Sequence, residues 1–255
     1  MSLHPTAIIH PGAILGKSVT VGPYSIIEDG VTIGDGTSIG NYTTIRKGTT
    51  IGKECRIFHS CVIGEEPQDL KFGGEDTLTE IGDHTVIREF VTINRGTDHS
   101  GMTKIGSHVL LMAYVHVAHD CTIGDNVIFA NLVTLGGHVH VDEWASLGGG
   151  VLVHQFCKVG AHAFIGGGFR IVQDVPPFIL AAGEPLKYAG INRIGLKRRG
   201  FDQAQRNILK KAYNYFFRSD IPRTQAIKSM RCDFPESSDV KAIIDFIDTS
   251  DRGII

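Results

Sequence analysis

Apolar side chains recur at every sixth residue from Ile9 to Ile63, through Leu15, Val21, Ile27, Ile33, Ile39, Ile45, Ile51 and Ile57. The beat returns at Ile81, Ile87 and Ile93, then runs from Ile105 through Val117, Leu135 and Val153 to Ile171. An α-helix repeats about every 3.6 residues and a strand about every 2, so neither explains this spacing. A hexapeptide repeat predicts a parallel β-helix, in which each unit supplies one short strand and one corner. Three units close a triangular coil, which stacks about 4.8 Å from the next.

Other positions share the period. Gly16, Gly22, Gly34 and Gly40 follow the apolar residue directly, with Glu28 and Arg46 at equivalent places. Glycine there allows a positive φ or a corner too tight for a Cβ. Ser25, Val31, Thr37, Thr43, Thr49, Cys55 and Cys61 fill a second, small inward slot. Each coil buries side chains only against its neighbours, so many coils are needed.

Two polar, glycine-rich stretches break the beat, at 64–80 and 95–104. Both predict loops leaving the prism, the kind of segment that carries function on a rigid scaffold. The repeat stops at Asp174-Val175-Pro176-Pro177, where two prolines cannot donate to a strand ladder. Beyond it, Asp202 is positioned to cap a helix burying Ile208, Leu209, Ala212, Tyr213 and Phe216. Ala226, Ile227 and Met230 mark a second helix; Val240, Ile243, Ile244 and Ile247 mark a third, starting near Ser238. The expected architecture is an all-β solenoid over residues 1–185, closed by an α-helical domain over 186–255 that covers an otherwise open sheet end.

Net charge is −2, but the charge is unevenly placed. From Lys187 to Arg231 the chain carries Arg193, Lys197, Arg198, Arg199, Arg206, Lys210, Lys211, Arg218, Arg223 and Lys228, opposed only by Asp202 and Asp220. Such a field attracts an acidic partner or a phosphorylated ligand. No nucleic-acid-reading module accompanies it, so nucleic acid is not the expected partner. Cys55, Cys61, Cys121 and Cys157 share the small inward slot and read as buried hydrophobes, not as a disulfide framework. Reduced thiols, no apolar run of membrane-spanning length and no leader pattern predict a cytoplasmic location.

Val117, Leu135 and Val153 are eighteen residues apart and should stack in successive coils. His116 and His119 flank the first, His138 follows the second and His154 the third, which sets four histidines along one side. Two chemistries fit such a column. Neutral imidazoles bind zinc, commonly as a set of three. Alternatively, an imidazole near neutrality removes a proton from a hydroxyl, and the neighbouring Asp120 would hold His119 for that task.

Local strings are more specific. Gln68-Asp69-Leu70-Lys71-Phe72, Ile87-Arg88-Glu89, Arg95-Gly96-Thr97, Ala118-His119-Asp120-Cys121, Gly137-His138-Val139 and Val153-His154-Gln155-Phe156-Cys157 resemble the UDP-N-acetylglucosamine O-acyltransferase family of lipid A synthesis. The similarity continues through Gln173-Asp174-Val175-Pro176-Pro177, Asn192 and Gly195-Leu196-Lys197-Arg198-Arg199-Gly200-Phe201 to Arg252-Gly253. The resemblance implies a left-handed coil, against the usual right-handed crossover preference. It also implies a homotrimer with active sites between prisms. The implied reaction passes an (R)-3-hydroxyacyl chain from acyl carrier protein to the 3-hydroxyl of UDP-N-acetylglucosamine, with no metal or other cofactor.

Residue by residue, the resemblance makes His119 the general base, Asp120 its orienting partner and the Gly137 N–H the oxyanion donor. Gln68, Asp69 and Lys71 would meet the sugar; His116, His138, His154 and Gln155 would line the groove; Asn192 and Arg198 would hold the nucleotide. Ile194 stands where the family often has glutamate, which puts an acidic ribose contact in doubt. Gly167 sits where the family sets acyl length, and a glycine there predicts a long chain. Three alternatives stand beside this reading. One is the sister acyltransferase of the pathway, expected to carry a uridine-binding domain before the repeats. The others are a zinc enzyme of the γ-carbonic anhydrase type and a non-catalytic β-helix scaffold.

Overall fold

A computed structural model describes residues 1–255. The six-residue beat folds into strands mostly two residues long, arranged in three sheets of eleven, nine and eight strands. Every pairing is parallel except the last, between Ile179–Ala182 and Lys187–Ile191. The result is a three-sided, left-handed parallel β-helix. The register holds as expected: Val117 lies beside Leu135, and Leu135 beside Val153. The beat residues point inward into a single cluster of 55 buried residues that runs on into the helical tail. The small slot is also buried, and its hydroxyls close the stack: Ser25 Oγ donates to Gly40 O at 2.6 Å and Thr37 Oγ1 to Gly52 O at 2.8 Å. Burial pushes the thiols of Cys61 and Cys121 up to about 11 and about 12, so they behave as packing groups.

The corners differ from the sequence expectation in one respect. Positive φ falls on the third residue after most beat residues, and among the glycines directly after a beat residue only on Gly64. Tyr24, Tyr42, Phe90, Tyr114, Asp120, His138, Trp144, Phe156 and His162 have φ between 54° and 65°. The early glycines serve the steric purpose alone. A Cβ on Gly16 would come within 2.6 Å of the Asp35 main-chain nitrogen, and one on Gly34 within 2.6 Å of the Gly52 carbonyl carbon. A left-handed conformation costs a non-glycine residue about 1–2 kcal/mol. Stacking between coils offsets part of that: Tyr24 lies 5.3 Å from Tyr42, Phe90 4.9 Å from Tyr114 and His138 4.3 Å from Phe156, ring centre to ring centre.

Both breaks in the beat leave the prism at one edge, the edge between the nine-stranded and eight-stranded sheets. The first departs after Val62–Glu65 and rejoins at Leu78–Ile81; the second departs after Thr92–Asn94 and rejoins at Met102–Ile105. The next corner on this edge, between His116–Val117 and Thr122–Ile123, carries His119 and Asp120.

The tail begins with a short helix, α1 (Arg193–Arg198), and continues with α2 (Gln203–Arg218), α3 (Arg223–Asp233) and α4 (Ser238–Asp248). Asp202 caps α2 through a reciprocal pair with Gln205, as its position before the apolar pattern predicts. Tyr213 is fully buried and donates its hydroxyl proton to Pro177 O, which fastens α2 to the end of the solenoid. The chain end returns to the prism: Ile254 bridges to Asp174, and Ser250 Oγ donates to Asp174 Oδ2 at 2.6 Å. No helix is long and apolar enough to cross a membrane.

Candidate active site

The corner after Val117 is followed, one coil on, by the corner after Leu135, and then by the corner after Val153. His119, Gly137 and Gln155 therefore stack, as do Asp120, His138 and Phe156. Main-chain bonds fix the spacing: His138 N donates to His119 O at 3.0 Å and Phe156 N to Gly137 O at 3.1 Å.

His119 Nδ1 lies 2.8 Å from Asp120 Oδ2. The Asp120 side chain is 1 % exposed. Burial alone would raise its carboxyl, but hydrogen bonds from Ser100, Thr97 and His119 outweigh that and hold it well below the usual carboxylate range. The donors are Thr97 N at 3.0 Å, Thr97 Oγ1 at 2.7 Å and the Ser100 hydroxyl, all from the second excursion. Thr103 Oγ1 accepts from Asp120 N at 2.8 Å and so holds the main chain of the corner. An ionised carboxylate can only accept, so His119 Nδ1 carries the proton and Nε2 offers the lone pair. Among the hydrogen bonds of the chain, none engages that Nε2.

His138 lies across His119 with ring centres 5.0 Å apart, and His99 from the second excursion lies 4.6 Å from His138. Burial, resisted by the Asp120 charge, lowers the His138 imidazole, whose Nδ1 has no hydrogen-bond partner. Donor atoms of His119, Asp120 and His138 lie within 4.8 Å of one another, a spacing a metal ion could use. The nitrogen of His119 that faces Asp120 carries the proton, so Nε2 is the one free lone pair of that ring, open to an ion or to a proton.

Gly137 completes the corner. A Cβ at this position would stand 2.5 Å from His119 Cε1 and 2.6 Å from Nε2, so only glycine lets the ring lie flat here. The Gly137 N–H donates to no acceptor in the chain. At three corners on the edge between the eight-stranded and eleven-stranded sheets the corresponding amide is capped by an aspartate one coil on: Lys17 N by Asp35, Lys53 N by Asp83 and Ser107 N by Asp125, each at 2.7 Å. Above Gly137 the residue is Gln155, which makes no such bond. A free lone pair and a free N–H thus sit side by side, the pairing that a deprotonated nucleophile and a developing oxyanion require.

The remaining predicted residues divide into two groups. On the same edge, Asp69 lies close enough to His138 for its charge to act on that imidazole, and it accepts Lys71 N at 3.0 Å in a local turn of the first excursion. Gln68 is exposed beside them. His116 stands on the outer face of the nine-stranded sheet, 2.8 Å from Thr92 Oγ1. His154 lies one corner further along, where Nδ1 faces the Arg252 guanidinium at 3.1 Å. Asn192 and Arg198 belong elsewhere. Asn192 Nδ2 donates to the carbonyl of His162 at 2.9 Å, and His162 sits on the edge between the eight-stranded and eleven-stranded sheets. Arg198 is exposed on α1, in an open groove with Arg193, Lys197, Arg206, Lys210 and Arg218. Gly167 lies on the third edge; a Cβ there would meet Gly149 O at 3.0 Å, and Ile194 is 69 % exposed. One chain therefore does not bring the basic segment to the histidines. Thr97, Ser100 and Thr103 escaped sequence reasoning as partners of Asp120, although their place in a polar break near His119 was the available signal.

Comparison with known proteins follows the same lines. Residues 174–255 match the family described as UDP N-acetylglucosamine O-acyltransferase, domain 2, and residues 12–47, 30–65 and 102–137 match bacterial transferase hexapeptide repeats. The acyl-[acyl-carrier-protein]–UDP-N-acetylglucosamine O-acyltransferase of Thiobacillus denitrificans is 46 % identical over 255 residues, covering 100 % of this chain and 99 % of its own. Its counterpart in Chlorobaculum tepidum is 54 % identical over 246 residues, covering 96 % and 93 %. The solved structure of the UDP-N-acetylglucosamine acyltransferase from Bacteroides fragilis superposes with a TM-score of 0.97 at 44 % identity, covering 99 % of both chains. Similarity of this extent, helical tail included, sets aside the zinc-enzyme and scaffold alternatives. The chain belongs to the UDP-N-acetylglucosamine O-acyltransferase family.

Proposed function

We propose that the chain transfers an acyl group from acyl carrier protein to UDP-N-acetylglucosamine, the reaction named for its full-length relatives. The observation that carries the mechanism is the apposition of His119 and Gly137. His119 Nε2 removes the proton of the sugar 3-hydroxyl, and that oxygen attacks the thioester carbonyl of the (R)-3-hydroxyacyl carrier. The new C–O bond pushes charge onto the carbonyl oxygen, which the Gly137 N–H receives. As the intermediate collapses the C–S bond breaks, and the proton on His119 passes to the departing thiolate. Asp120 holds the ring in the tautomer this requires and steadies the imidazolium. No cofactor enters these steps.

Gln68, Asp69 and Lys71 would meet the sugar from the first excursion. His116, His138, His154 and Gln155 would line the groove on the histidine side. Asn192 and Arg198 would hold the nucleotide, since a guanidinium engages phosphate through paired hydrogen bonds. Because they stand on a different edge, they would serve a neighbouring chain's histidines. A closed threefold assembly of prisms supplies that geometry, and we take the working unit to be a homotrimer. We take residues 1–185 as the β-helix domain, 186–255 as the helical domain and the cytoplasm as the site of action. Gly167 would admit a long hydroxyacyl chain.

The test is an acyl-transfer assay with UDP-N-acetylglucosamine and a chain-length series of hydroxyacyl carrier proteins, on the wild type and His119→Ala. Turnover in the wild type, its loss in the variant and a preference for long donors are expected. Full turnover in His119→Ala would remove the base assignment, and a preference for short donors would remove the role of Gly167.

A further inference from the structure

We propose that His162 is a positioning residue for the basic segment Asn192–Arg199, which it fastens to the prism at both ends. Its main-chain carbonyl accepts Asn192 Nδ2 at 2.9 Å, and its ring Nδ1 lies 3.2 Å from Arg199 Nη1. Asn192 is the N-cap of α1, accepting Gly195 N at 3.0 Å, and Arg199 is its C-cap. A helix of six residues does not hold together in water by itself, so its place depends on what grips its ends and on the burial of Leu196.

The grip on Arg199 needs an imidazole that accepts. Arginine only donates, so His162 Nδ1 must present a lone pair. The surroundings favour that form. The ring lies between Trp144, 6.3 Å away, and Phe178, 5.5 Å away, with Phe201 edge-on at 5.1 Å. Burial, then the Arg199 charge, pushes the imidazole down to about 4, so it is neutral at physiological pH. The Arg199 guanidinium also rests 5.1 Å from the centre of the Trp144 ring, which leaves it little freedom. Between the two anchors, Arg193, Lys197 and Arg198 line a groove that contains Arg206, Lys210 and Arg218 and no carboxylate. The anchors thus fix how those cations are presented to a phosphorylated ligand.

This rests on the nucleotide role proposed for Arg198, and the experiment separates the two. His162→Phe keeps the ring stack and suits the corner, since Phe156 and Phe178 adopt the same positive φ. It removes only the acceptor for Arg199. The KM for UDP-N-acetylglucosamine should rise about tenfold with kcat within about twofold, the size expected for one hydrogen bond to a charged group. His162→Asn, which tolerates positive φ and offers an acceptor oxygen, should recover most of that rise. Arg199→Met should reproduce it from the other side, and the double variant should be no worse than either single one. A wild-type KM in His162→Phe, or additive losses in the double variant, overturns the proposal. Arg198→Ala tests the nucleotide reading alone: an unchanged KM there would defeat that reading whatever His162→Phe does.

Discussion

His119 lies so close over Gly137 that a single added methyl would stand 2.5 Å from its Cε1. The ring cannot swing away freely, because its Nδ1 is held by Asp120 at 2.8 Å. Gly137→Ala should therefore displace the base and crowd the oxyanion site together. A fall in kcat of about a hundredfold is expected, comparable to losing one preplaced donor. The melting temperature should fall by a few degrees at most: Gly137 does not need a positive φ, but the displaced ring gives up its bond to the buried Asp120. Steady-state kinetics beside a thermal melt check both halves; unimpaired turnover would mean that the ring is elsewhere during catalysis.

Asp120 sets the tautomer of His119. In Asp120→Asn the side chain can present an N–H to Nδ1, and the imidazole proton then moves to Nε2, where a base needs its lone pair. The expected loss in kcat is about 10²–10⁴, the usual worth of a positioned acid–base group. KM for the sugar nucleotide should stay near its wild-type value. Asp120→Glu should not rescue the variant, since the corner is packed on every side by Thr97, Ser100 and Thr103.

The same carboxylate makes stability depend on pH. Its folded value is depressed, so its contribution is present above the unfolded value of about 4 and is lost as the pH falls towards the folded one. Thr97→Ala with Ser100→Ala removes two of the donors responsible. Urea midpoints should show a loss of about 1–3 kcal/mol at pH 7, the cost of under-satisfying a buried acceptor. At pH 3 the gap to wild type should narrow. A gap that is constant or widens in acid would mean that the two hydroxyls stabilise the loop without acting through Asp120.

How far the sequence carried the structure follows from what is periodic in it. The solenoid, its inward columns and the pairing of Val117 with Leu135 and Val153 could be read directly, because one number sets them all. His119, His138 and Gly137 could be placed near one another for the same reason. The site of the left-handed corner was harder to read, since glycines such as Gly30, Gly36 and Gly48 share it with bulky tyrosine, histidine, phenylalanine and tryptophan, while other glycines fill the position directly after the beat residue. The clasp of Thr97 and Ser100 on Asp120 could not be read at all. It depends on where an aperiodic excursion folds back, and no spacing rule governs that. α1 escaped because six residues are too few to show a helical pattern. The separation of Arg198 from the histidines is a matter of which prism edge each occupies, and it became visible only once the sheets were known.

The uncapped Gly137 amide leads to the last prediction. At three other corners an aspartate one coil on accepts the equivalent N–H: Asp35, Asp83 and Asp125. Gln155 occupies that place above Gly137, and its longer side chain stays in solvent. Gln155→Asp should restore the cap. The new carboxylate would take the Gly137 N–H, and the oxyanion would lose its donor to a group already in place. A loss in kcat of about 10²–10³ is expected, with thermal stability unchanged or raised, because the substitution satisfies an amide while it disables the site. Gln155→Ala is the discriminating control. It removes any contact that the glutamine makes with substrate but leaves the amide free, so its kcat should exceed that of Gln155→Asp by at least about tenfold. Equal losses in the two variants would show that Gln155 acts through its own amide group and that Gly137 N–H is not the donor.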